Sequence, residues 1–208
     1  MLLAKEAAKI TSAHYNWDEW SRDPKVMEQK IKSELPEGFY VNYGLSNRGI
    51  MVVERGNQRV ISVKGTDPKN KSDLLSDLQL AMGLHKSNIQ FRERKNEIKN
   101  IMRRDPDKEY HLTGHSLAGS IITNAMASSP SILRTVKKAY TFNSGGTPVF
   151  EASLKPRKEY ISMVNEKLEH HKTKADIISS TPSVYGETIF HKQKSRNPFT
   201  SHSITNFT

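Results

Sequence analysis

Cysteine is absent from this 208-residue chain. Its absence excludes a disulfide framework, a thiolate zinc site, an iron–sulfur cluster and a cysteine nucleophile, and leaves covalent chemistry to oxygen or nitrogen. Long apolar runs are missing too, since none approaches the roughly 18–20 residues of a bilayer span. The opening Met1-Leu2-Leu3-Ala4-Lys5-Glu6 meets charge before an export signal's apolar region can form, so the sequence as written is read as carrying no secretory or membrane signal. There are no repeats, low-complexity tracts or linkers to mark a domain boundary. Acidic residues are outnumbered, 22 Asp+Glu against 32 Lys+Arg, for a net charge of +10. That imbalance speaks to partners such as nucleic acid, an anionic membrane or an acidic substrate, and not to fold. With 35% hydrophobic and 26% charged residues, the composition is that of a soluble globular chain, and its length predicts one domain over 1–208.

The first 36 residues read as a helical segment. Leu3, Ala7, Ala8 and Ile10 fall near one face, and Asp23-Pro24 offers an N-cap and N1 proline for a second helix to about Leu35. Pro36-Glu37-Gly38 then opens three strand-like runs, 39–43, 49–53 and 59–63, joined by tight turns at 47–49 and 55–57. Helical spacing returns over 72–82, and again further on, where Phe91, Ile98, Ile101 and Met102 share a stripe. A strand over Glu109–Thr113, a small-residue helix over 117–127 and short strands at 139–143, 160–164 and 188–192 follow, with an otherwise irregular last third. The alternation predicts an α/β fold, a compact mixed central sheet flanked by helices.

The most informative stretch is Tyr110-His111-Leu112-Thr113-Gly114-His115-Ser116-Leu117-Ala118-Gly119. A strand entering Gly-x-Ser-x-Ala and leaving as a helix is the setting of a nucleophile elbow. A serine on such a turn sits in strained backbone, so the residues two before and two after it must be small for strand and helix to pass. Gly114 and Ala118 meet that need, although the strict pattern has Gly at the last place. The Leu117 amide, at the helix N-terminus beside Ser116, can stabilise a developing oxyanion. Upstream, the apolar run Val60–Val63 ends in Lys64-Gly65-Thr66, where a second backbone donor would lie.

An elbow serine needs an acid and then a histidine later in the chain. Asp176 is the single aspartate after Ser116, placed where a polar run meets Ile177-Ile178; the alternative for it is a turn cap. Glu151, Glu159, Glu166, Glu169 and Glu187 mostly sit in charge-rich stretches that read as surface. Four histidines follow the serine. His170 and His171 precede Asp176 and break the order, whereas His202 and His191 keep it. His202 opens an expected terminal helix and is the leading base; His191, in a strand-like run, is the second choice.

These residues resemble the class 3 lipase family, the fungal-lipase-like branch of the α/β-hydrolases. The resemblance runs over about 50–208 and rests on Val63-Lys64-Gly65-Thr66, on 72–78, on the elbow 110–119, on Tyr140–Val149, and on the segments of Asp176 and His202. It implies a Ser116–Asp176–His202 triad, hydrolysis of acyl esters in lipids through an acyl-enzyme, and an oxyanion hole made by the Thr66 and Leu117 amides. It implies no metal or cofactor, and a lid that would fall around 82–90. Val63-Lys64 departs from the residues expected before the Arg-Gly-Thr-like turn. The implied partner is a lipid ester, and the +10 charge turns attention to anionic phospholipid surfaces. An inactive hydrolase-fold scaffold and a basic nucleic-acid-binding module are the alternatives. No zinc spacing, basic heptad or aromatic RNA-binding motif accompanies the charge, which argues against the latter.

Overall fold

The computed structural model describes residues 1–20, 24–65, 85–144, 155–176, 182–192 and 198–208. Helices α1 (Ala4–Trp20) and α2 (Pro24–Glu34) come first, then strands β1 (Tyr40–Val41), β2 (Ile50–Arg55) and β3 (Gln58–Val63). Helix α3 (His85–Arg104) leads to β4 (Glu109–His115), α4 (Leu117–Ser128), α5 (Pro130–Thr135) and β5 (Val136–Phe142). The last third supplies α6 (Lys158–Lys167), β6 (Leu168–Thr173), β7 (Glu187–His191), the short α7 (Pro198–Ser201) and a 3-10 turn, Ile204–Asn206.

Among the described residues the strands form one seven-stranded sheet in the order β1 to β7. The β1–β2 and β2–β3 pairs are antiparallel and every later pair is parallel. Gly56, at φ 58°, lets the two-residue turn Gly56-Asn57 join β2 to β3, with Arg55 paired to Gln58. The β3–β4, β4–β5 and β5–β6 connections each carry a helix back across the sheet, so the C-terminal ends of β3 to β6 share one edge.

Two apolar layers cover the sheet. Ile50, Val52, Ile61 and Leu112 pack with Phe91, Ile98 and Met102 of α3 and Leu117, Ile121 and Ile122 of α4 on one face. On the other, Met51, Val53, Val60 and Phe142 meet Leu2, Ala7, Ala8 and Ile10 around α1. The sequence placed Leu3 on that face; in the structure Leu2 is buried and Leu3 is 58% exposed, because Leu3 precedes the helix, where its amide donates to Glu6 Oε2 at 3.0 Å.

Residues 160–164 were expected to form a strand and instead lie in α6. Tyr160, Met163 and Val164, at i, i+3 and i+4, turn to the core, a period that so short an apolar run does not separate from a strand. Strand β6 had no counterpart in the sequence reading. The helix expected over 72–82 lies outside the described residues, as do positions 82–84 of the expected lid; its remaining positions belong to α3.

Candidate active site

Strand β4 ends at His115 and α4 begins at Leu117, leaving Ser116 alone on the turn. Its backbone stands at φ 58° and ψ −128°, a left-handed conformation that costs a non-glycine residue on the order of 1–3 kcal/mol. Surrounding bonds hold it there. The Ser116 amide donates to the Phe142 carbonyl at 3.0 Å, and the Gly119 amide donates to the Ser116 carbonyl at 2.9 Å. Gly65 at the end of β3 passes close by, where a Cβ would come within 3.3 Å of both the Ala118 amide nitrogen and the His115 carbonyl oxygen.

Three of the residues singled out from the sequence meet at this edge. His202 Nε2 lies 2.9 Å from Ser116 Oγ, and His202 Nδ1 lies 2.9 Å from Asp176 Oδ2. All three are buried, Asp176 almost completely at 1% exposure. Asp176 sits on a turn just past β6, its amide donating to the Thr173 carbonyl at 3.2 Å. Leu117 is buried at the first position of α4, with its amide next along the chain from Ser116 and at the positive end of the helix dipole. Thr66 lies outside the described residues, directly after Gly65.

His202 does not open a helix as expected. It follows α7 and precedes the 3-10 turn, in a short irregular link. Two neighbouring strands pin that link. Asn143, at φ 42° just past β5, donates from Nδ2 to the Ser201 carbonyl at 2.9 Å, and Thr173 Oγ1 donates to the same oxygen at 2.8 Å. Asn143 Oδ1 in turn accepts the Thr173 amide at 2.9 Å.

The other histidines are committed elsewhere. His170 bonds Thr141 Oγ1 at 2.6 Å and the Tyr185 carbonyl at 2.9 Å. His171 Nε2 bonds Glu169 at 2.7 Å, and its Nδ1 lies 2.7 Å from His191 Nε2. His191, the second choice as base, is half-buried, its ring edge-on to Phe207 at 5.2 Å. Glu169, expected at the surface, is half-buried as well and pairs with Lys138 at 3.2 Å.

No family model and no curated protein matches the chain. Solved structures do. A mutant form of MDLA from Penicillium cyclopium matches at a TM-score of 0.51 and 13% identity, over 92% of this chain and 79% of that one. A structure described as fungal lipases matches at 0.51 and 16% identity, over 92% and 78%. The chain has a class 3 lipase-like α/β-hydrolase fold. A lipase from Rhizopus microsporus var. chinensis matches at 0.48 and 12% identity, over 98% and 83%. At these identities the likeness is one of fold.

Within this lipase-like fold, several residues at the site escaped the sequence reading. Asn143 and Thr173 hold the His202 link, as above. His115 stood in the motif only as the residue before the serine, yet its Nε2 bonds the His202 carbonyl. Tyr15 reaches His115 from α1, whose Thr11 also meets Thr113 of β4. Only the two left-handed non-glycine positions beside strand ends, Ser116 and Asn143, have a sequence signal: a short polar residue where a strand stops.

Proposed function

We propose that the protein is a serine carboxylic-ester hydrolase acting on lipid acyl esters, a lipase or phospholipase, with Ser116 as nucleophile, His202 as general base and Asp176 as its orienting carboxylate. The reading is carried by the unbroken hydrogen-bonded path from Asp176 through both nitrogens of the His202 ring to the Ser116 hydroxyl. A carboxylate accepts only, so Asp176 fixes the hydrogen on Nδ1 and leaves the Nε2 lone pair facing the serine.

In the proposed reaction His202 takes the Ser116 proton as Oγ attacks the ester carbonyl carbon. The carbonyl π pair moves to oxygen, and that oxyanion rests on the Leu117 amide and on the Thr66 amide. Collapse expels the alcohol, which leaves with the proton from His202. Water, deprotonated by His202, then attacks the acyl-enzyme and releases the fatty acid, restoring Ser116. The strained φ of Ser116 supports this reading, because it lifts the hydroxyl to the open end of the turn.

The +10 charge supports an anionic phospholipid as substrate surface, since basic residues near such a surface contribute on the order of 1 kcal/mol each. Contact would be peripheral, and no helix among the described residues is long and apolar enough to cross a membrane. The deciding experiment is fluorophosphonate labelling followed by intact mass. Wild type should gain one adduct and Ser116→Ala none. Folded wild type that stays unlabelled and hydrolyses no ester on a phospholipid and glyceride panel would refute the assignment and return the scaffold reading.

A further inference from the structure

We propose that His115, seated on Tyr15 of α1, is a positioning residue that fixes the main chain carrying His202. This rests on the hydrolase reading only for its catalytic consequence; the structural claim stands on its own contacts.

His115 ends β4, immediately before Ser116, and is 8% exposed. Its Nε2 lies 2.5 Å from the His202 carbonyl oxygen, and the two rings pack with centroids 4.8 Å apart. A carbonyl can only accept, so Nε2 carries the hydrogen. Burial, joined by the neighbouring His202, drives the His115 pKa down to about 3, so the ring is neutral and Nδ1 is an acceptor. Facing Nδ1 at 3.4 Å is the Tyr15 hydroxyl, its ring edge-on to His115 at 5.6 Å. The same hydroxyl stands 3.4 Å from the His115 carbonyl. The Lys64 ammonium lies 5.5 Å from the centre of the Tyr15 ring.

The consequence is geometric. His202 follows Ser201, whose carbonyl is held by Asn143 and Thr173 from β5 and β6. The next carbonyl, that of His202 itself, is held from β4 by His115. Two consecutive peptide units are therefore fixed from three strands. One strand end presents both Ser116, which meets the His202 side chain, and His115, which meets the His202 backbone. The imidazole is located relative to the serine by two bonds in place of one, in a link with no regular structure of its own.

The test compares His115→Phe, which fills the space and cannot donate, with His115→Gln, whose amide can reach the same carbonyl. The first readout is the His202 Nδ1–H proton in nitrogen-edited NMR, which needs no turnover. It should shift or broaden in His115→Phe and return toward wild type in His115→Gln. The second is the rate of fluorophosphonate labelling, expected to fall about 10- to 100-fold in His115→Phe and to recover to within about threefold in His115→Gln, the scale of a misplaced catalytic group. Equal losses in both variants would mark His115 as packing alone, and wild-type behaviour in His115→Phe would also overturn the proposal. Wild type that never labels, while the His202 proton still responds to His115→Phe, would refute the hydrolase reading and leave the positioning claim standing. Should His115→Phe fail to fold, Tyr15→Phe removes only the hydroxyl behind it. That variant should label about threefold more slowly, a fraction of the same displacement, and an unchanged rate and spectrum would overturn the proposal.

Discussion

Gly114 and Ala118 meet across the turn that carries Ser116: a Cβ on Gly114 would lie 2.9 Å from the Ala118 Cβ and 2.9 Å from Ile122 Cδ1. The Ala118 Cβ can give way only with its backbone, which itself lies 3.2 Å from the added Cβ, and Ile122 is buried beside it in the layer between β4 and α4. Gly114→Ala should therefore cost about 1–3 kcal/mol of stability through overpacking. It should also slow Ser116 labelling, because the strand and helix that grip the serine are pushed apart. Urea denaturation and the labelling rate check the two halves. A variant as stable as wild type would mean that the elbow is looser than these contacts imply.

Asp176→Asn should separate chemistry from folding. The carboxylate accepts from His202 Nδ1 at 2.9 Å; an amide can instead donate there and reverse the tautomer, turning an N–H toward Ser116. The expected loss in labelling rate and ester turnover is about 10⁴-fold, the size seen when a triad histidine is held in the wrong tautomer. Thermal unfolding should change little, because the substitution is nearly isosteric. Turnover within tenfold of wild type would remove Asp176 from the role proposed for it.

The contrast between β4 and β6 explains how far the sequence could be read. In β4 the pattern Tyr110-His111-Leu112-Thr113-Gly114 enters a motif whose backbone demands are local, so strand, turn and serine are legible together. Residues Leu168–Thr173 carry Glu169, His170, His171 and Lys172 and look like surface, yet positions 170–173 are buried. Their polarity is met across strands, His170 by Thr141 and His171 by His191, and such partners exist only after the sheet forms. Asn143 was passed over for a related reason, since its bonds reach Thr173 and Ser201, 30 and 58 positions away. The order Ser116, Asp176, His202 was legible because it follows from chain topology. The residues that steady His202 were not, because they follow from packing. Residue 160–164 periodicity failed on length alone.

Arg59 supports the opposite edge of the sheet, and its loss should be costly. The guanidinium is 4% exposed and pairs with Glu54 at 2.9 Å and Asp105 at 2.5 Å, with the Tyr110 hydroxyl 3.2 Å away. Burial alone would raise the Glu54 pKa, but the Asn42 hydrogen bond and the Arg59 charge outweigh it and hold that carboxyl below its ordinary value. Arg59→Met leaves a buried carboxylate short of its main counter-charge, which costs about 3–5 kcal/mol. Adding Glu54→Leu should recover a large part of that loss, since a buried ion pair and an apolar pair of similar volume are often near equal. Urea midpoints of the single and double variants measure it, and a double variant no better than the single would contradict the account.

Stability should fall steeply in mild acid, driven by buried histidines. Burial is the main cause that brings both His115 and His170 from 6.5 down to about 3, with Lys172 adding to it at His170. The unfolded chain binds a proton at each of these positions near pH 6.5, and the folded chain does not until about pH 3. Through that window the unfolded state holds more protons, so folding is favoured less as pH drops; the contribution is complete above pH ~6.5 and decays toward pH ~3. Each such group contributes on the order of 1 kcal/mol per pH unit in the lower part of the window. His111 and His171, lowered by burial as well, act in the same direction. Urea midpoints should stay nearly level from about pH 7.5 to about pH 6.5 and decline steadily from there to about pH 4.5. His170→Gln, which keeps a donor for the Tyr185 carbonyl but does not titrate, should flatten the decline by about one proton's worth. A midpoint constant across that range would mean that the buried histidines take up protons in the folded state as readily as in the unfolded one.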